Sequence, residues 1–341
     1  MARSVLGLDI GGANLKAAHC DGTARLVPFA LWKRPAELPA ALRELIRSMP
    51  AFDRLAVTMT GELCDCFATK YEGVNAILDA VAEAAGSAPV AVWRTDGRFV
   101  DLAEARRTPL LTAAANWLAL AAFAGRHTPP GPALVIDVGS TTTDITPLHD
   151  RRPVPQGRTD PERLRCGELV YTGVRRTPLC ALLGGEGAAE WFATTLDAYL
   201  VLGILKEDAT DRDTADGRPA TREAAHARLA RMRCADLTTC TEQERRSLAL
   251  KAIARQMQLI TSGLERVAKR LPGPPRAVVL AGSGEFLAAQ AVRQLGDPSP
   301  PPAVSLGQKL GPEISQSACA YALAVLAAEQ GGESSVEVVV D

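Results

Sequence analysis

The chain has 341 residues, 47% hydrophobic but only 4% aromatic, with a formal net charge of −1 and a pI of about 6.5. That length accommodates two domains with sizeable cores. The near-neutral charge excludes the electrostatic footprint of a nucleic-acid or anionic-membrane binder, and no apolar run approaches a membrane span.

The N-terminal MARSVLGLDIGG lacks the apolar region and cleavage site of a signal peptide, so a cytoplasmic protein is expected. The eight cysteines are scattered. Only Cys64 and Cys66 are close, and no paired C-x-x-C unit accompanies them, which argues against zinc, an iron–sulfur cluster or a disulfide framework.

In chain order, Ser4 to Ile10 reads as a buried strand. A tight turn at Gly11, Gly12, Ala13 and Asn14 follows, then a strand from Leu15 to Cys20 carrying Lys16. Asp21-Gly22 is a hairpin turn leading into a third strand, Ala24 to Leu31. Leu38 to Met49 is expected to be helical. Arg54 to Thr60 is a buried strand running into the polar segment Gly61-Glu62-Leu63-Cys64-Asp65-Cys66, and strand ends of this kind are where α/β sheets bind ligands. Lys70 to Ala85 has helical apolar spacing, Val90 to Trp93 is a strand, and Pro109 to Ala124 reads as one helix, apolar all round and therefore buried. Its one strongly polar residue, Asn116, either caps a packing defect or faces a cleft, the cleft being the preferred reading. The prolines and glycine of Arg126 to Pro132 mark a boundary.

The second half opens on ALVIDVGSTTTDITP, Ala133 to Pro147. The run Leu134-Val135-Ile136 is a buried strand that delivers Asp137 into a turn of Gly139, Ser140, Thr141, Thr142 and Thr143. A second strand then carries Asp144. A carboxylate beside glycine and hydroxyls suits a metal–phosphate site: glycine admits close backbone approach, hydroxyls donate, and the Asp holds a divalent cation. Alone, the stretch also reads as an ordinary hairpin with a Ser/Thr-rich turn. LGLDIGGANLKAA repeats its pattern near the N-terminus, and two copies at corresponding points suggest a duplicated domain with a phosphate between the copies.

Thr159 to Thr177 is expected to be loop-like. Its Arg163, Arg165, Arg175 and Arg176 fit either a solvated surface or recognition of carboxylates or phosphates. Ala188 to Leu205 reads as a long helix, Glu207 to Ala220 as a charged loop or flap, and 221–233 as a helix capped by Thr221. Thr241 to Leu271 is the longest helical segment and starts on a capping-box match. A strand, Arg276 to Leu280, leads through Gly282-Ser283-Gly284 into the helix Glu285 to Leu295. That is a nucleotide-adjacent arrangement, weak as a lone turn. A short strand (Ala303 to Leu306), a helix (Ser315 to Glu329) and an edge strand (Val336 to Val340) complete the expectation.

With the two Asp–Gly loops and the AGSG turn in this order, the chain resembles the acetate kinase/sugar kinase/heat-shock ATPase/actin superfamily. Within it, the blocks GLDIGGANLK, TGELCDCFATKYEGV, DVGSTTTDI and GELVYTGVRRTPLCAL are similar to the hydantoinase/oxoprolinase-related group. They are most similar to the synthases of methanofuran biosynthesis and their bacterial relatives. The resemblance implies an α/β, two-domain actin-like (ribonuclease H-like) fold with a cleft between duplicated domains. Residues 1–130 would form one domain and 131–315 the other, with a helical insertion at 185–271. Residues 316–341 would pack back on the first domain.

The implied reaction joins an (aminomethyl)furanmethanol diphosphate to the phenol of a glutamyl-tyramine or glutamyl-tyrosine, forming an ether and releasing pyrophosphate. On this reading Asp9 and Asp137 hold Mg²⁺. Lys16, Gly11, Gly12, Asn14, Gly139, Ser140, Thr141, Thr142, Gly282, Ser283 and Gly284 surround the diphosphate. Asp144, Glu62 and Asp65 are alternative bases for the phenol, each equally readable as a cap or salt bridge. Lys70, Glu168, Arg175 and Arg176 lie on the acceptor side. The expected partners are these small molecules, with no nucleic acid or membrane and with a homodimer left open. Two alternatives stand beside it: an ATP-dependent small-molecule kinase or oxoprolinase-type hydrolase, and a nucleotide-binding regulatory protein of the same fold.

Overall fold

The computed structural model describes residues 4–295 and 299–330. The first half builds a sheet from β1 (Val5–Ile10), β2 (Asn14–His19), β3 (Ala24–Pro28), β4 (Arg54–Met59), β5 (Val90–Trp93) and β6 (Phe99–Val100), in the order β3-β2-β1-β4-β5-β6. The second half builds another from β7 (Pro132–Val138), β8 (Thr143–His149), β9 (Arg152–Pro153), β10 (Leu169–Val170), β11 (Val278–Ala281) and β12 (Ala303–Ser305). Its order is β10-β8-β7-β11-β12, with β9 beside β8.

The two sheets repeat one plan. An antiparallel hairpin, β1–β2 or β7–β8, is flanked by two parallel strands, β4–β5 or β11–β12. Asp9 faces Lys16 across the first hairpin, and Asp137 faces Asp144 across the second. Lys16 and Asp144 are therefore counterparts in the duplication.

The outer face of the first sheet is covered by Leu38–Arg47, which buries Leu38, Leu42, Leu45 and Ile46, and by Lys70–Ala85. Thr69 caps the latter by accepting from the Glu72 N–H. The second sheet's outer face packs on Glu242–Ala268 and Glu285–Gln294. Between the sheets lie the helices Asn116–Ala124 and Ala318–Glu329. Trp117, Leu118 and Leu323 meet Val5 and Ala56 of the first sheet, whereas Leu120, Ala121 and Cys319 meet Val135 and Val279 of the second. That double contact explains why both helices are apolar all round. The approach is close: a Cβ on Gly7 of β1 would sit 1.9 Å from the Ala320 carbonyl oxygen. This is the two-domain actin-like fold, and among the described residues no helix is long and apolar enough to cross a membrane.

Several expected elements differ. The helix expected over Pro109 to Ala124 breaks into Pro109–Thr112 and Asn116–Ala124, because Ala113 forms a bridge with Met59 at the end of β4 and Ala114 adopts φ +47°. The helix expected over Ala188 to Leu205 shrinks to Thr195–Leu202. A Thr194/Asp197 capping box opens it, and left-handed Gly203 closes it. The segment read as loop-like contains the helix Asp160–Cys166, with a Thr159/Glu162 capping box and a left-handed Gly167 after it. The last helix is divided at Ser317 into Pro312–Gln316 and Ala318–Glu329. The strand expected at Val336 to Val340 lies outside the described residues.

Candidate active site

Each hairpin carries its Asp at the end of a buried strand, and the two strand ends face one another. Asp9 is 3% exposed, and its Oδ2 lies 3.6 Å from Lys16 Nζ. Its other oxygen, Oδ1, is buried without a hydrogen-bond partner. Burial raises the Asp9 pKa although Lys16 pulls it down. Burial likewise pushes Asp137 up to about 7, with the Lys16 charge opposing and Asp144 and Asp9 adding to the rise. Burial works against the Lys16 ammonium, but Asp9, Cys319 and Asp137 more than offset it and raise its pKa. One lysine from the first sheet thus sits in the field of carboxylates from both.

The glycine loops turn alike. The Gly11 N–H donates to the Asn14 carbonyl at 3.0 Å, and the Gly139 N–H donates to the Thr142 carbonyl at 2.9 Å. A Cβ at Gly12 would sit 2.6 Å from Cys64 Sγ, so this glycine lets the 61–66 segment close on the loop. Ser140, Thr141 and Thr142 are half-buried. Gly282, at φ +87°, packs on Asp137 itself: its Cβ would fall 2.3 Å from Asp137 Oδ1, and its N–H donates to Ser315 Oγ at 3.2 Å. Gly284 closes on Val138 in the same way, while Ser283 is exposed. The AGSG turn therefore forms part of the wall behind Asp137.

The three carboxylates considered as bases separate. Asp144 accepts from Arg163 Nη1 at 2.8 Å, and the buried Arg163 guanidinium stacks 4.0 Å from the Trp117 ring centroid. Its carboxylate is thereby tied into the wall, as the salt-bridge reading has it. Asp65 is exposed. Glu62 is 1% exposed, its Oε2 has no hydrogen-bond partner, and burial pushes it up to about 7. The Thr60 and Gly61 N–H groups both donate to the Ile10 carbonyl, so Glu62, which follows β4, is held beside the end of the strand that carries Asp9. The backbone of Glu62 in turn needs Gly73: a Cβ there would lie 2.0 Å from the Glu62 carbonyl oxygen.

Lys70 Nζ lies 3.9 Å from Glu62 and 3.6 Å from Asp160 of the second half, bridging the cleft. Arg175 and Arg176 donate their backbone N–H groups to the Ser140 carbonyl, both at 3.0 Å, which fixes them on the second glycine loop. Glu168 is a correction. Its fully buried carboxylate accepts from the Gln156 and Gly157 N–H groups and pairs with Arg270 at 2.7 Å, so structural partners fill it and none of it is left for an acceptor.

Sequence reasoning missed Cys319. Its Sγ lies 3.8 Å from Asp137 Oδ2 and 3.7 Å from Asn116 Nδ2, so this thiol contacts both side chains. It missed Ser315 and Trp32 as well. Cys319 and Ser315 follow Asp137 by well over a hundred residues, in helices whose small residues signal only packing.

Among the described residues no group of three or more His, Cys, Asp or Glu side chains forms a protein-only metal cage. The donor set instead suits Mg²⁺, which takes one or two carboxylates and completes its shell with water and substrate phosphate. Asp9, with its unpartnered buried oxygen, and Asp137 fit that demand.

A model of the hydantoinase/oxoprolinase family matches residues 53–330. The chain is 33% identical over 337 residues, covering 96% of it and 98% of the relative, to a protein of Methanocaldococcus jannaschii named (4-{4-[2-(gamma-L-glutamylamino)ethyl]phenoxymethyl}furan-2-yl)methanamine synthase. It is 29% identical over 201 residues, 57% of this chain and 89% of the relative, to a protein of the same name from Methanococcus vannielii. Among solved structures, nucleotide-free acetone carboxylase superposes with a TM-score of 0.54 at 10% identity, over 95% of this chain and 70% of that one, a likeness of fold. On the family match and the full-length identity together, the chain belongs to the hydantoinase/oxoprolinase family.

Proposed function

We propose that this protein is a cytoplasmic ether-forming synthase of the methanofuran type. It condenses an (aminomethyl)furanmethanol diphosphate with the phenol of a glutamyl-tyramine or glutamyl-tyrosine and releases pyrophosphate. The observation that carries the reading is the meeting of Asp9, Lys16 and Asp137 at the cleft of a chain aligned end to end with a synthase of that product. Residues up to 130 and 131–315 serve as the two jaws, with 185–271 inserted in the second, and among the described residues of the C-terminal segment the helix Ala318–Glu329 returns to the first.

The phenol oxygen forms a bond to the furanylmethyl carbon as the carbon–oxygen bond to diphosphate breaks. The electron pair leaves with pyrophosphate. The furan ring stabilises positive charge at that carbon, so the barrier lies in the leaving group's growing charge. Lys16, the loop N–H groups and the Thr141 and Thr142 hydroxyls stabilise that charge where it develops. Mg²⁺, held by Asp9 and Asp137, would add Lewis-acid neutralisation of the same oxygens.

The phenol proton, with an ordinary pKa of about 10, goes to Glu62. This carboxylate is buried, free at Oε2 and poised near neutrality, as a general base should be. Lys70 and the Arg175–Arg176 pair lie on the acceptor side. The test is to supply both substrates with Mg²⁺ and measure pyrophosphate; no release with either acceptor would sink the reading. Formation of ADP from ATP would favour the kinase or hydrolase alternative.

A further inference from the structure

The two arginines on the second glycine loop are used differently. Arg175 Nη2 donates to Asp211 Oδ2 at 2.6 Å, and Asp211 is built into the base of the 207–220 loop. Its carbonyl accepts from the Ala220 N–H at 2.8 Å, and its carboxylate accepts from the Asp213 N–H at 3.0 Å. Arg176 is only half engaged. Its guanidinium lies over the Trp32 ring, 4.7 Å from the centroid, so it reaches from the second half across to the first. Its Nη1 is buried with no hydrogen-bond partner. The nearest carboxylate, Asp213 Oδ2, is 3.6 Å away, beyond a hydrogen bond, on a side chain that is 60% exposed.

Stacking on Trp32 fixes the guanidinium plane and leaves its N–H edge for an oxyanion. The loop that carries Asp213 is anchored on either side of it. The Asp208 N–H donates to the Ala220 carbonyl at 3.0 Å, and Asp216 pairs with the buried Arg228 at 2.9 Å. Asp213 can therefore yield without the loop unfolding.

We propose that Arg176, stacked on Trp32, is a substrate oxyanion subsite that Asp213 partly neutralises from within, so that substrate binds by displacing the Asp213 carboxylate. The proposal deepens the synthase reading and rests on it for the identity of the ligand. The same oxyanion chemistry is offered by the acceptor's glutamyl carboxylate and by the donor's diphosphate. Calorimetric titration separates them with three probes: γ-glutamyl-tyramine, the same amide without its α-carboxylate, and inorganic pyrophosphate.

In Asp213→Asn the probe that uses Arg176 should bind at least fivefold tighter. The gain should disappear in the Arg176→Gln background. If the oxyanion is the carboxylate, the amide lacking it shows no gain; if it is the diphosphate, only pyrophosphate gains. The proposal is overturned if Asp213→Asn leaves every dissociation constant within twofold, if the gain persists without Arg176, or if no probe binds. Binding that behaves as expected without pyrophosphate release under turnover conditions would count against the synthase reading alone. Asp213 is exposed, so its substitution does not threaten the fold.

Discussion

Glu62 shows what burial does to a single carboxylate. The folded protein holds it at a pKa of about 7 against an ordinary 4.5, so between those values the folded state keeps a proton that the unfolded chain has released. Stability must therefore fall as pH rises through that window. Above it, ionised Glu62 costs on the order of 3 kcal/mol. Urea unfolding at pH 8 should find Glu62→Gln more stable than wild type, and at pH 4 the two should converge. Activity runs the other way. A base works only when ionised, so turnover should rise with pH up to about 7 and level above it; Asp137, also pushed up to about 7, adds to that rise, so Glu62→Gln should make it shallower rather than abolish it. Asp9→Asn and Asp137→Asn should each lower turnover by about 100-fold or more with an unchanged far-ultraviolet dichroism spectrum. Near-normal turnover in either would remove the metal–diphosphate clamp from the account. Asp9, Lys16 and Asp137 were legible because each sits at a fixed offset in a repeated strand–glycine–strand pattern. The choice among Glu62, Asp65 and Asp144 was not, since it depends on which carboxylate is buried and which meets a distant arginine.

Elements were legible where local rules act alone and illegible where a tertiary partner intervenes. Lys70–Ala85 carries its own cap and apolar stripe, and it appears where expected. The apolar run through Ala113 breaks because β4 pairs with it, and no spacing rule shows that. The helix Asp160–Cys166 announced itself through Thr159 and Glu162, a signal overlooked among the arginines. Two substitutions test what the elements bear. Gly282→Ala places a methyl group on Asp137 and forces a left-handed backbone onto alanine. It should cost about 1–3 kcal/mol in thermal unfolding and lower turnover by displacing Asp137. Arg228→Ala leaves Asp197 buried without its 2.7 Å partner in the helical insertion. It should cost about 3–5 kcal/mol in denaturant unfolding; a cost below 1 kcal/mol would show that the pair is dispensable.

At the scale of the whole molecule the duplication organises the chemistry. One hairpin plan occurs twice, but its second strand carries Lys16 in the first copy and Asp144 in the second. The first copy thus contributes a cation, paired with Asp9, to the cleft. The second contributes a carboxylate whose charge Arg163 takes up in the wall. The two apolar helices between the sheets bring Cys319 to Asp137 and hold the strand ends facing each other. The most direct test of the central claim is a single assay. The protein is incubated with (aminomethyl)furanmethanol diphosphate, γ-glutamyl-tyramine, ATP and Mg²⁺, and pyrophosphate, the aryl ether and ADP are quantified together. The account predicts equal amounts of pyrophosphate and ether, lost in Asp137→Asn. ADP formed from ATP, with neither pyrophosphate nor ether, would contradict it.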